Sequence, residues 1–172
     1  HQLNASGNAL NTGVGYFAGY ALTTGTHNTI MGGLAGDALT TGGSNVAIGY
    51  GSLSAEDTGR KNVAIGYRAL NVQNNDADNY NVAVGYDAGL NVTTGTSNTI
   101  LGATSGDAMT EGVLNALVGY NSGGAITTAV SNTLVGGHAG RAITTGGGNV
   151  ALGYATLFLQ ESNGSYSTAI GA

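Results

Sequence analysis

Asn45-Val46-Ala47-Ile48-Gly49-Tyr50-Gly51-Ser52-Leu53-Ser54-Ala55-Glu56-Asp57-Thr58-Gly59-Arg60-Lys61 is one of a series of near-copies, and its reading decides the fold. The stretch before it, Asn28 to Ser44, follows the same outline: N-T-I-M-G-G-L-A-G-D-A-L-T-T-G-G-S. Asparagine opens nine such units, at Asn11, Asn28, Asn45, Asn62, Asn81, Asn98, Asn115, Asn132 and Asn149. Glycine holds the fifth place in all nine. Seven units are 17 residues long; the unit from Asn62 has 19 and that from Asn149 has 18. A fixed period of this kind marks a repeat architecture, in which each unit buries its apolar residues only by stacking on its neighbours. Ser167 to Ala172 opens a tenth unit and residues 1–10 read as the tail of an earlier one. The whole chain, 1–172, is therefore expected to be a single repeat array and a portion of a longer protein.

Each unit holds two short β-prone runs. The first covers places two to four, as in Val46-Ala47-Ile48 or Thr99-Ile100-Leu101, and its fourth place is always a large aliphatic residue. Alternate residues of a strand face opposite ways, so this strand is apolar on both faces, as a strand buried on both sides would be. The second run covers places eleven to fourteen, as in Ala142-Ile143-Thr144-Thr145, and its twelfth place supplies a further inward candidate (Leu22, Leu39, Val92, Met109, Ile126, Ile143). Glycines at places five and fifteen mark corners, and no helix of useful length fits between them. Two short strands and two corners make one coil, and successive coils pair as parallel strands about 4.8 Å apart. The expected fold is an all-β parallel β-solenoid. The leading asparagines (Asn28, Asn45, Asn62, Asn81, Asn98, Asn115, Asn132, Asn149) are expected either to stack as an amide ladder or to serve a turn. The second apolar face exceeds what one thin solenoid needs, which suggests packing against further copies, closed as a homotrimer.

Composition narrows the functions. The chain has 32 glycines, no cysteine, 8% charged residues and a net charge of −5. Its four basic residues, Arg60, Lys61, Arg68 and Arg141, are too few for a nucleic-acid surface. No apolar run approaches the length of a membrane span. Gly13-Val14-Gly15-Tyr16-Phe17-Ala18 has a dinucleotide-like spacing, but it sits inside a repeat with no helix to follow it. His27 and His138 fall at different places of the coil and lack a carboxylate or serine at recurring spacing, so no catalytic residue, cofactor or metal is assigned. Asn4-Ala5-Ser6, Asn91-Val92-Thr93 and Asn163-Gly164-Ser165 match a glycosylation sequon at the rate chance provides.

One stretch breaks the period. Glu56, Asp57, Arg60, Lys61, Arg68, Asp76 and Asp78 bring seven of the thirteen charged residues together where the fourth unit is longer by two. Stacking should set the bulge Asn74, Asn75, Asp76, Asp78, Asn79 and Tyr80 beside Glu56 and Asp57 on one edge, the expected place for a receptor contact. Its D-x-D-N run offers oxygen ligands for Ca²⁺, but without the glycine and glutamate an EF-hand loop requires. Tyrosine fills the sixth place at Tyr16, Tyr50, Tyr67, Tyr86, Tyr120 and Tyr154, and a packing ladder is the favoured reading over a row of sugar-stacking rings.

The run N-V-A-I-G-Y with its later T-T-G resembles the repeats of bacteriophage tail fibres and related bacterial surface proteins, and more loosely the head repeats of trimeric autotransporter adhesins. The likeness spans Asn11 to Tyr166. It implies a homotrimeric fibre segment, outside the cell or on a virion, that carries or adjoins a receptor-binding surface for a glycan or protein. Two other functions fit less well. The pairs Thr23-Thr24, Thr40-Thr41, Thr93-Thr94, Thr127-Thr128 and Thr144-Thr145 suggest an ice-binding solenoid, yet the row lapses at Glu56-Asp57, near Gln73 and at Glu161. A polysaccharide-cleaving tailspike would need paired carboxylates flanking a groove.

Overall fold

Ten three-residue strands, one per repeat unit, form the only regular secondary structure in the computed structural model, among the residues it describes (9–159 and 163–171). They are β1 (Thr12–Val14), β2 (Thr29–Met31), β3 (Val46–Ile48), β4 (Val63–Ile65), β5 (Val82–Val84), β6 (Thr99–Leu101), β7 (Ala116–Val118), β8 (Thr133–Val135), β9 (Val150–Leu152) and β10 (Thr168–Ile170). The sequon at Asn4 and the position of Glu161 lie outside the described residues. All strands pair in parallel with their neighbours in chain order, making one ten-stranded sheet. Equivalent places face each other: Val46 pairs with Val63, Ala47 with Ala64, Ile48 with Ile65. The longer fourth and ninth units keep this register, with Val63 opposite Val82 and Val150 opposite Thr168. The extra residues are absorbed outside the sheet.

The second β-prone run forms no strand. Places seven and nine take left-handed backbone in most coils, as at Phe17 (φ 55°), Gly19 (φ 59°), Thr104 (φ 52°) and Gly106 (φ 53°), and such residues end any extended run. What results is a pair of consecutive turns. The amide of Met109 donates to the carbonyl of Gly106 at 3.1 Å and that of Ile126 to Gly123 at 3.0 Å. Between turns, the remaining amides donate to the adjacent coil: Gly123 to Ala139 at 2.9 Å and Thr127 to Thr144 at 2.9 Å. The backbone is thus satisfied coil to coil around much of the circumference, without a second sheet.

Only one face of the strand is buried in the single chain. The third place points inward and is fully buried from β2 to β9 (Ile30, Ala47, Ala64, Ala83, Ile100, Leu117, Leu134, Ala151). The twelfth place meets it from the opposite wall, with Leu39, Val92, Met109, Ile126 and Ile143 at 0% exposure. Alanines or serines at place eight complete a thin core, as at Ala35, Ser52 and Ala139. Burying each large aliphatic here stabilises by about 1.5–3 kcal/mol. Places two and four point outward and are half-buried or exposed.

Glycine at place five answers two demands. Its φ lies between 122° at Gly49 and 144° at Gly85, a region closed to other residues. A Cβ at Gly119 would also stand 2.6 Å from the carbonyl carbon and oxygen of Gly136 in the next coil.

The leading asparagine does both things expected of it, through different atoms. Its Oδ1 accepts the backbone amide of the next coil's asparagine, as in Asn45 to Asn28 at 3.0 Å and Asn132 to Asn115 at 3.0 Å. Its Nδ2 donates across its own coil to the carbonyl at place fifteen, as in Asn28 to Gly42 at 3.0 Å and Asn98 to Gly112 at 2.7 Å. From Asn81 to Asn149 the amides also bond one another, for example Asn149 Nδ2 to Asn132 Oδ1 at 2.9 Å. The left-handed residue of this corner is the one before the asparagine, such as Ser44 (φ 58°) or Ser131 (φ 60°).

Candidate functional site

The bulge sits where stacking was expected to set it, beside the third coil. Arg60 and Asp78 form an isolated parallel bridge. Thr58 Oγ1 donates to Asp76 Oδ1 at 2.5 Å. Lys61 Nζ lies 2.7 Å from Asp78 Oδ2 and 2.9 Å from the Tyr80 hydroxyl, with the ammonium over the Tyr80 ring. This pairing holds the Asp78 carboxyl below its ordinary range and raises the Lys61 ammonium. Two adjoining grooves of about 310 and 360 Å³ run along this edge; Thr41, Arg60 and Asp78 line both. Thr24, Ser44 and Lys61 extend the first groove, Thr58 and Asp76 the second. Asn74, Asp76, Asp78 and Tyr80 are exposed and Asn75 and Asp57 half-buried. Among the described residues no group of three or more histidines and acids gathers to hold a metal ion.

Glu56 and Asn79, by contrast, are fully buried and are not surface contacts. Glu56 occupies the inward twelfth place of its coil, where others carry Leu, Val, Met or Ile, and Gln73 does the same in the next. Glu56 Oε1 accepts from the Gly59 amide at 2.8 Å, and its Oε2 from Asn79 Nδ2 at 3.1 Å and Gln73 Nε2 at 3.4 Å. Gln73 also donates to Asn62 Oδ1 at 3.2 Å and accepts from Asn81 Nδ2 at 3.1 Å. Desolvation, reinforced by nearby Asp57, pushes the Glu56 carboxyl above its usual value despite these donors.

A signal for this interior was present in the sequence. Coils with an aliphatic twelfth place carry glycine at place nine: Gly19 with Leu22, Gly36 with Leu39, Gly89 with Val92, Gly106 with Met109, Gly123 with Ile126, Gly140 with Ile143. The three coils with Glu or Gln at twelve carry leucine at nine: Leu53 with Glu56, Leu70 with Gln73, Leu157 with Gln160. The structure gives the reason. A Cβ at Gly36 would stand 2.8 Å from Leu39 Cδ1, so the two side chains compete for one volume. Where the twelfth place turns polar, Leu53 and Leu70 fill the core at 0% exposure while accepting φ of 51° and 49°. Two of these three coils are the long ones.

Elsewhere on the surface the tyrosine row stacks as a ladder at Tyr50, Tyr67 and Tyr86, while among the described residues Tyr16, Tyr120 and Tyr154 stack on no other tyrosine and are exposed. Tyr50 and Tyr67 stack at 5.5 Å with an interplanar angle of 15°, Tyr67 and Tyr86 at 5.1 Å and 7°. Their faces cover one another, leaving ring edges outward. His138 packs edge-on between Tyr120 and Tyr154. Beside this ladder runs the fourth-place row, with Val14, Met31 and Leu152 exposed and Ile48, Ile65, Val84, Leu101, Val118 and Val135 half-buried. None of the thirteen charged residues falls in the first six places of any unit, though at place seven the Arg68 guanidinium lies over the Tyr67 ring and pairs with Asp87 at 2.8 Å. The threonines of place thirteen turn their hydroxyls to the next coil's carbonyl, as Thr23 to Thr40 at 3.0 Å and Thr93 to Thr110 at 3.1 Å. Those of place fourteen are exposed at Thr24, Thr41, Thr94, Thr128 and Thr145, and Glu111 and Asn75 interrupt them. No protein-family model, curated protein or solved structure matches this chain.

Proposed function

We propose that the chain is a structural and adhesive rod: a β-solenoid fibre segment of the phage tail-fibre or bacterial adhesin kind, displayed outside the cell or on a virion. It associates with two further copies of itself through the apolar sheet face and meets a surface glycan or protein at the irregular edge of the third and fourth coils. The observation that carries this reading is the unbroken outward row of large apolar side chains at place four, from Val14 to Ile170, on strands that carry no charged residue. Ten strands at about 4.8 Å make a strip about 43 Å long. With the second-place row and the tyrosines it offers on the order of 600 Å² per chain, at the lower end of what stable interfaces bury. Contiguous apolar surface of that extent marks an interaction site, and three such faces meeting round an axis close without leaving any uncovered.

Sedimentation velocity tests the assembly. A trimer is expected, and Ile65→Asp together with Val118→Asp should yield a monomer with unchanged circular dichroism. A wild-type chain that sediments as a monomer at micromolar concentration would end this reading. Adhesion is tested by binding of the labelled rod to bacterial envelopes, which replacing Asp76 and Asp78 with alanine should abolish.

A further inference from the structure

We propose that Glu56 is the positioning residue of the inserted loop 74–79: carried into the core by a Leu-x-x-Glu unit, its carboxyl holds the loop from inside. The solenoid solves a specific problem here. In every other coil the leading asparagine clamps a carbonyl of its own coil, at place fifteen as in Asn11 to Gly25 at 2.8 Å, and at place sixteen in the ninth coil, Asn149 to Gly164 at 2.9 Å. The ninth coil keeps its clamp although it is longer by one residue. In the fourth coil two extra residues displace that carbonyl, and Asn62 Nδ2 is buried without a partner. The corner therefore needs another tether.

Glu56 supplies it from the coil next door. Two of the groups donating to its carboxyl come from the stretch that carries the insertion: Asn79 Nδ2 and Gln73 Nε2. Asn79 Nδ2 also reaches back to the Asn75 carbonyl at 3.2 Å, closing the loop on itself beneath its exposed tip. The loop is thus pinned through Asn79 to one buried side chain, with Asn75 held to the same asparagine. An aliphatic residue at place twelve has no atom to accept these donors. Leucine at place nine is the compensating change, filling the volume that glutamate and glutamine leave. The pairing of leucine at nine with Glu or Gln at twelve is then the mark of a coil that anchors inserted residues, and Leu157-x-x-Gln160 carries it in the other long unit.

Each of these hydrogen bonds to Glu56 is accepted by the carboxyl, so the tether uses both oxygens: Oε1 takes the Gly59 amide of its own coil and Oε2 takes Asn79 and Gln73 from the inserted stretch. As the reason the exposed tip presents a defined surface, this role rests on the proposed function; the holding itself is measured without any ligand.

Hydrogen exchange on the full chain is the test. In Glu56→Gln, which keeps one of the two acceptor oxygens and sets a donor where the other stood, protection of residues 74–79 should be retained better than in Glu56→Leu. In Glu56→Leu protection of 74–79 should fall at least tenfold while residues 98–148 stay unchanged. Replacing Leu53 by glycine in the Glu56→Leu chain, which gives the pairing of the regular coils, and deleting two residues from 75–78 should restore a regular coil and its protection. Glu56→Gln losing as much protection at 74–79 as Glu56→Leu, or a loss of protection spread evenly over all coils, would overturn the proposal. So would Glu56→Leu leaving 74–79 as protected as before.

Discussion

The coils from Asn81 to Gly148 and those from Asn45 to Tyr80 share one sheet and one register, yet they fill their interiors by opposite means. The regular coils set glycine at place nine against an aliphatic residue at place twelve, and every asparagine clamp is made. The irregular pair sets leucine against Glu56 and Gln73, accepts strained backbone at Leu53 and Leu70, and leaves Asn62 Nδ2 unpaired. The difference teaches that period and sheet geometry are fixed by a few places (one, three and five), while places nine and twelve can be exchanged as a unit. Burying a carboxyl costs stability that an all-aliphatic coil would not give up. That cost falls where the surface is irregular, next to the grooves and the bulge.

The comparison can be broken most severely at place five. Gly119→Ala should cost about 4 kcal/mol or prevent folding, since its φ of 131° and its approach to Gly136 both forbid a Cβ; a thermal melt followed by circular dichroism measures it. At place one, Asn115→Ala strands a buried amide and a buried carbonyl and should cost about 3 kcal/mol. Asn62→Ala, whose Nδ2 has no bond to lose, should cost about 1 kcal/mol less. Equal losses in urea titrations would show that the irregular corner is clamped like the rest. At place twelve the effect depends on pH. Glu56→Gln should raise the melting temperature at neutral pH and leave it unchanged in mild acid, because the raised carboxyl destabilises the fold only when ionised. At the surface the effects shrink. Val118→Lys on the outward row should alter the stability of the isolated chain by no more than about 0.5 kcal/mol while abolishing its self-association in sedimentation. Lys61→Ala should leave the melting midpoint unmoved at any salt concentration, its pair with Asp78 being open to solvent.

Much of this was legible in the residues. The nine asparagines and nine glycines at fixed spacing gave coil, sheet and register, because identical places must stack for their side chains to be satisfied. The twelfth-place core was visible as a row of aliphatics. The second strand was not there to be found: β-propensity at Ala142-Ile143-Thr144 yields to left-handed backbone at His138 and Gly140, which no propensity scale registers. Glu56 and Asn79 were read as surface residues on charge and polarity alone. Their burial depends on a volume exchanged with Leu53, a pairing across three residues that is plain only once both are known to point inward. Asp76, Asp78 and Tyr80 came out exposed because the sheet's register leaves the extra residues nowhere else to go.

The coil-to-coil bonds have a mechanical consequence. Backbone amides at the strand, at both turns and at the asparagine corner all reach across to the adjacent coil. A pull along the axis therefore loads each boundary across many bonds at once, and the boundaries one after another in series. A rod of this kind is as strong as its weakest boundary, and the corner at Asn62, whose Oδ1 accepts the Asn81 backbone amide at a stretched 3.3 Å, is the first that should part. Stretching single molecules in an optical trap would show the opening rip removing the coils around residues 62–80, and a first rip elsewhere would refute it.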